Sequence, residues 1–260
     1  MDFDDLEAKA ADPNNKILIL CNPHNPVGRV WTRGELEQVS AICERHNVLV
    51  IADEIHGDFA FPPNRYTPYL TAAEGAGENT VACISPAKTF NISGMVDALA
   101  IIPNEAHRLR FHDFAHRFQI NKTNVFSLAA VEAAYEDGAP WLEELLDYLQ
   151  GNVDLIRETL RDNEINISLI KPEGTFLVWL DFRELGLDVK ELERFLARTA
   201  GIAISPGYWF GREGAGFGRM TIACPRSTVQ RALDNLVGAV NLLAQTDDQA
   251  DASLDKPATN

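Results

Sequence analysis

The sequence predicts an α/β protein: a mostly parallel sheet covered by helices, followed by a smaller C-terminal α+β domain. Three observations carry that expectation. In the first half, short all-apolar runs stop abruptly at polar clusters, as strands buried on both faces do. Helix-length segments separate these runs, which implies crossover connections and parallel pairing. Beyond about residue 140 the alternation gives way to a long helical segment and then to mixed strands and helices.

The elements follow in order. Ile17-Leu18-Ile19-Leu20-Cys21 is the first apolar run, ended by Asn22-Pro23. Thr32 and Glu35 have capping-box spacing, and Leu36, Val39, Ile42 and Cys43 continue a helical stripe. Val48 to Ala52 reads as a second buried strand ending at Asp53, Val81 to Ile84 as a third ending at Ser85, and Ala98 to Ile102 as a fourth closed by Pro103. Helices are expected from Leu109 to Phe118 and from Ser127 to Tyr135. A longer one from Trp141 towards Leu160 places Leu142, Leu145, Leu146 and Leu149 on one face. Strands at Ile167 to Ile170, Thr175 to Leu180 and Met220 to Cys224 then alternate with helices from Val189 to Thr199 and Thr228 to Leu243. The resulting division is 1–140 for a large α/β domain, 141–244 for a connecting helix and small α+β domain, and 245–260 for a polar tail expected to be disordered.

Charge narrows the partners. With 23 Lys+Arg against 38 Asp+Glu, the net charge is -15. Such a surface repels phosphate backbones and anionic lipid, so no nucleic acid and no membrane partner is expected. No apolar run has membrane-spanning length and no leader pattern opens the chain, so a cytoplasmic location is expected. Cys21, Cys43, Cys83 and Cys224 lack C-x-x-C spacing. They are expected to be reduced thiols rather than metal ligands, and no metal site is expected.

Three polar clusters follow three strands: Asn22-Pro23-His24-Asn25-Pro26-Val27-Gly28, Asp53-Glu54-Ile55-His56 and Ser85-Pro86-Ala87-Lys88-Thr89-Phe90-Asn91. In open parallel sheets ligands bind at the carboxyl ends of strands, so three clusters on one edge describe a binding site. Lys88, flanked by Ala87 and Phe90, is either an amine nucleophile or a surface lysine in a turn. Asp53 is either a buried counter-ion for a heterocyclic cation or a helix cap. Asn25 also suits a turn pinned by two prolines.

In order and spacing these three clusters resemble the signature blocks of class I/II aminotransferases of fold type I. His24, Asp-Glu-Ile-His and Lys-Thr-Phe-Asn more closely resemble the cystathionine β-lyase-like (C–S lyase) branch. The similarity runs from about Asp2 to Gly238. The resemblance implies pyridoxal 5'-phosphate as cofactor, held covalently by Lys88. It implies that Asp53 pairs with the pyridinium nitrogen. It further implies that Asn25 bonds the ring 3-oxygen across a cis peptide to Pro26, that His56 stands where many relatives have a tyrosine, and that Ser85 joins the phosphate cradle. Gly218 to Ala223 resembles the segment whose arginine clamps the substrate α-carboxylate, which implies that role for Arg219; Arg226 is the rival.

On this resemblance the reaction is β-elimination from a cystathionine-like amino acid, giving thiol, pyruvate and ammonia. Amino transfer to a 2-oxo acid is the alternative, with the same residues. The substrate is a small-molecule amino acid, and the intact enzyme is expected to be a homodimer. The family normally begins well before Met1 with a glycine-rich phosphate loop, so an N-terminal part is expected to be missing. A catalytically incompetent fragment or regulatory interaction module is therefore a third alternative.

Overall fold

A computed structural model describes residues 1–95, 98–120 and 122–254, with side chains up to residue 245. Helix α1 (Phe3–Ala10) starts at Asp2, whose side chain accepts from Asp5 N–H. The first apolar run forms strand β1 (Ile17–Cys21). Helix α2 (Arg33–Arg45) follows with the expected capping box: Thr32 Oγ1 accepts from Glu35 N–H while the Glu35 carboxylate accepts from Thr32 N–H at 2.8 Å. Strand β2 (Leu49–Asp53) leads through two 3-10 turns, Tyr69–Thr71 and Ala76–Asn79, into β3 (Thr80–Ile84). Then come the one-turn helix α3 (Pro86–Thr89), β4 (Leu99–Ile101), α4 (Glu105–Arg117), α5 (Val125–Asp137) and α6 (Ala139–Asp162).

These strands form a sheet of order β1-β2-β3-β4. The first three are parallel and β4 is antiparallel to β3. One face is a packed core: Leu20, Val50, Ala52 and Ala82 are buried together with Leu36 and Val39 of α2 and with Tyr69. The other face corrects an expectation. Ile17 is 55% and Ile19 71% exposed, so β1 is not buried on both faces. Leu99 and Ile101 of β4 are exposed as well. An apolar run records what a strand can bury, whereas its second face depends on whether another element covers it.

The second half begins with β5 (Ser168–Ile170) and β6 (Leu177–Asp181). Helix α7 (Val189–Arg194) continues as a π-helical turn, Phe195–Thr199, where an unbroken α-helix was expected. Next are β7 (Ser205–Pro206), a 3-10 turn at Gly207–Phe210, β8 (Phe217–Thr221) and α8 (Arg226–Leu254). The sheet order is β5-β6-β8-β7, antiparallel throughout. Val178 and Leu180 of β6 are fully buried, as are Leu149 and Ile156 of α6 and Val229 of α8.

The tail expected to be disordered from residue 245 is instead helical to Leu254. Pro257 is the first helix breaker beyond that start, and residues 255–260 lie outside the described residues. The chain forms two compact units. The first is Met1–Asp147 with Glu173–Thr175; the second is Tyr148–Pro172 with the chain from Phe176 onward.

Candidate active site

Register brings the three sequence clusters to one edge. At the carboxyl ends of the parallel strands, Cys21 pairs with Asp53 and Asp53 with Cys83. Asn22 N–H donates to Asp53 O at 2.9 Å, and Glu54 N–H to Cys83 O at 2.8 Å, so each chain leaves its strand beside the next. The segments carrying Asn25, Asp53 with His56, and Ser85 with Lys88 therefore start from adjacent positions on a single sheet edge.

The first segment is held from several sides. Asn22 is fully buried; its Oδ1 accepts from Trp31 N–H at 3.2 Å and its Nδ2 donates to Thr67 O at 3.1 Å. Both Asn22–Pro23 and Asn25–Pro26 are cis. His24 N–H donates to Arg29 O and Gly28 N–H to His24 O, closing the loop, with Gly28 at φ 81°. Asn25 is half-buried, and its N–H donates to Cys21 Sγ at 3.5 Å.

A distant strap clips this loop in place. Arg29 Nη1 donates to both carboxylate oxygens of Glu173, at 2.9 and 2.7 Å, and Val30 N–H adds a third bond at 2.9 Å. Glu173 and Gly174 N–H both donate to Gly28 O. A side chain at Gly174 would stand 2.3 Å from Phe59 O, so only glycine permits this approach.

In the second segment Asp53 is half-buried, while Glu54 and His56 are each 3% exposed. Glu54 accepts from Tyr69 N–H at 2.7 Å, and burial pushes its carboxyl above the ordinary range. His56 packs 6.2 Å from the Phe59 ring. Cys21 and Cys83 flank Asp53, and burial, followed by the Asp53 carboxylate, raises both thiols.

In the third segment Ser85 Oγ accepts from Ala87 N–H at 3.2 Å, capping α3 with Pro86 at its first position. Lys88 is half-buried between buried Ala87 and buried Thr89. Thr89 Oγ1 donates to Asp58 Oδ2 at 2.6 Å, and Phe90 packs against Tyr135 and Trp141. The turn bearing Lys88 is thus tied to the segment that follows Asp53. A cavity of about 270 Å³ adjoins this edge, lined in part by Glu54, Tyr66, Ile84, Ser85 and Tyr135.

Arg219 lies in the second unit, on β8, paired across the sheet with Trp179 on one side and Ser205 on the other. Its Nη2 donates to Ser205 Oγ at 3.2 Å, its Cζ stands 4.7 Å over the Phe210 ring, and burial lowers its pKa. Arg226 opens α8. Its Nε donates to Asn152 Oδ1 at 3.0 Å, its Nη2 to Tyr148 O at 3.2 Å, and its guanidinium lies over the Tyr148 ring. Those bonds commit Arg226 to joining α6 and α8.

Sequence reasoning missed Glu173, Phe210 and Asp58. Glu173 lies 144 residues from Arg29, and no local spacing announces such a pair. The Gly207 and Gly211 flanking Tyr208-Trp209-Phe210 were the available signal for a special turn. Among the described residues there is no cluster of three or more potential metal ligands, and no helix is long and apolar enough to cross a membrane.

The family model described as aminotransferase class I and II matches residues 1–236. The chain is 36% identical to cystathionine beta-lyase PatB of Bacillus subtilis, covering 93% of this chain and 62% of that protein. It is 38% identical to Protein MalY of Escherichia coli, covering 92% and 61%. Cystalysin from Treponema denticola, whose crystal structure contains pyridoxal 5'-phosphate, superposes with a TM-score of 0.89 at 34% identity over 94% of this chain and 62% of its own. The chain thus spans about three-fifths of the length of these relatives. With a family model matched along most of its length, the chain belongs to the aminotransferase class I and II family.

Proposed function

We propose that the protein containing this chain is a pyridoxal 5'-phosphate-dependent carbon–sulfur β-lyase acting on cystathionine- or cysteine-type amino acids. One observation carries the reading: the register Cys21–Asp53–Cys83, which starts the Asn25, Asp53 and Lys88 segments from one edge. The donor set fits the cofactor chemically. It offers a primary amine for an aldehyde, a carboxylate for a protonated ring nitrogen and an amide for a phenolic oxygen. When bound, pyridoxal phosphate supplies an aldehyde that condenses with amines and a ring that withdraws electrons from the substrate Cα.

Each role would fall to one residue of this chain. Lys88 would hold the cofactor through its amine, and the same amine would serve as the base that takes the substrate Cα proton. Asp53 would pair with the protonated ring nitrogen and Asn25 would donate to the 3-oxygen. His56 would share that oxygen with Asn25, and Ser85 would contribute to phosphate binding. Arg219 takes the α-carboxylate, for which its planar fork is suited.

Similarity to a cystathionine β-lyase favours elimination, with thiol, pyruvate and ammonia as products. The family description supports a second reading, amino transfer to a 2-oxo acid. We take a homodimer in the cytoplasm as the working assembly, checked by sedimentation of the purified protein. Incubation with cystathionine decides the reaction: stoichiometric pyruvate and thiol are expected. Amino transfer to a 2-oxo acid without pyruvate would replace the first reading by the second.

A further inference from the structure

Arg219 sits at one end of an aromatic ladder. Phe210 lies under its guanidinium at 4.7 Å and meets Trp179 edge to face, with ring centres 5.7 Å apart at 83°. Trp179 in turn stacks on Phe217 at 5.4 Å and 9°. Trp179 is Arg219's partner across β6 and β8, so both side chains rise from the same face of the sheet. Ser205, its partner on β7, takes one N–H from the edge of the guanidinium.

Phe210 is 40% exposed, so part of its ring stays open to a ligand. Its position is set by backbone. A Cβ on Gly207 would stand 2.2 Å from Gly214 O, and a Cβ on Gly214 2.2 Å from Gly207 O, so two glycines allow the backbone on either side of Phe210 to touch. Gly211, immediately after Phe210, has φ 126°, a conformation other residues rarely adopt. Three glycines therefore present one half-exposed ring to one arginine.

We propose that Phe210 is a positioning residue for carboxylate recognition: its ring fixes the plane of the Arg219 guanidinium, braced by Trp179, so that the fork meets a substrate α-carboxylate already oriented. This rests on the reading of Arg219 as the carboxylate anchor. A cation held over an aromatic face gains about 0.5–2 kcal/mol, or roughly 2- to 30-fold in affinity. An unstacked guanidinium samples other rotamers, and that ordering cost moves into the binding step.

The test is a variant series in the cofactor-loaded protein, read in two ways. Phe210→Leu is expected to raise KM for the amino acid roughly 2- to 30-fold with kcat nearly unchanged. Phe210→Tyr, which keeps the ring, restores KM. The second reading is calorimetric binding of butanoate against butanamide, which isolates the carboxylate without turnover. Phe210→Leu narrows that preference and Phe210→Tyr keeps it. Phe210→Met, long and apolar but without a ring face, replaces the leucine variant if that one loses its near-UV circular dichroism. Arg219→Lys separates the two claims. If it leaves the butanoate preference intact, the anchor assignment fails and this inference with it. If it abolishes the preference while Phe210→Leu and Phe210→Met do not change it, the anchor stands and the positioning role is overturned.

Discussion

The two sheets put similar sequences to different uses. Ile17-Leu-Ile-Leu-Cys21 and Leu177-Val-Trp-Leu-Asp181 are both short apolar runs ending in a functional-looking residue. In β6 four consecutive residues are buried, whereas in β1 alternate residues stand in the open. The second sheet behaves as a closed core whose register sets Trp179 and Ser205 on either side of Arg219. The first is packed on one face only, and its candidate site residues gather at the carboxyl edge, on loops rather than in strand interiors. Apolar content predicts where strands form; the elements stacked on each face decide which strands become core.

The sharpest way to test the chemical edge is at its amine. Lys88→Ala is expected to eliminate the visible absorbance band that bound cofactor acquires on Lys88. It should lower turnover by roughly 100- to 10 000-fold from the loss of the base alone. Far-UV circular dichroism should be unchanged, since Lys88 is half-buried and α3 is tied down by Thr89 and Phe90 instead. Full activity in this variant would remove Lys88 from the mechanism and leave the edge a structural loop cluster.

The contrast between sheets is measured by matched truncations. Leu180→Ala, in the fully buried strand, is expected to cost about 2–5 kcal/mol in urea unfolding. Ile19→Ala, on a residue 71% exposed, is expected to change stability of this chain by less than about 1 kcal/mol. Similar losses at both positions would mean that the open face of the first sheet is covered in solution.

These positions also mark how far the sequence could be read. The strands, the Thr32–Glu35 cap and the three clusters were legible because each depends on neighbours within a few residues. Lys88, Asp53 and Asn25 could be singled out for the same reason, and parallel pairing implied their common edge. Burial of Ile17 and Ile19 was misjudged because exposure depends on what lies above the strand. The Arg29–Glu173 clip and the ring beneath Arg219 were invisible because they join segments whose proximity only the fold creates. The helical continuation to Leu254 escaped because a polar composition does not by itself stop a helix that has already formed.

Glu54 sets a pH dependence inside the first core. Its carboxyl is raised in the folded chain, so its contribution is fully present below the unfolded value of 4.5 and is lost as pH rises through the folded value. Glu54→Gln, which resembles the protonated acid, should gain stability relative to the parent as pH goes from 4 to 7. Glu54→Ala should cost about 1–3 kcal/mol at acidic pH by stranding Tyr69 N–H. Urea midpoints across that range check both. A parent-to-glutamine difference that does not change with pH would place the Glu54 titration elsewhere.

The smallest effect probes the register of the edge itself. Burial raises the thiols of Cys21, Cys83 and Cys43, the last to about 11, so all three should react slowly with iodoacetamide at pH 7 and faster as pH rises. Asp53 adds its charge to the first two alone, because it lies between them across the strands while Cys43 faces the core from α2. Removing that charge leaves burial, the larger cause, in place. Asp53→Asn should therefore quicken labelling of Cys21 and Cys83 by a small factor and leave Cys43 unchanged, as site-resolved mass spectrometry would show. Equal acceleration at all three would indicate general loosening of the unit. No acceleration at either flanking thiol would break the pairing that starts the three clusters side by side.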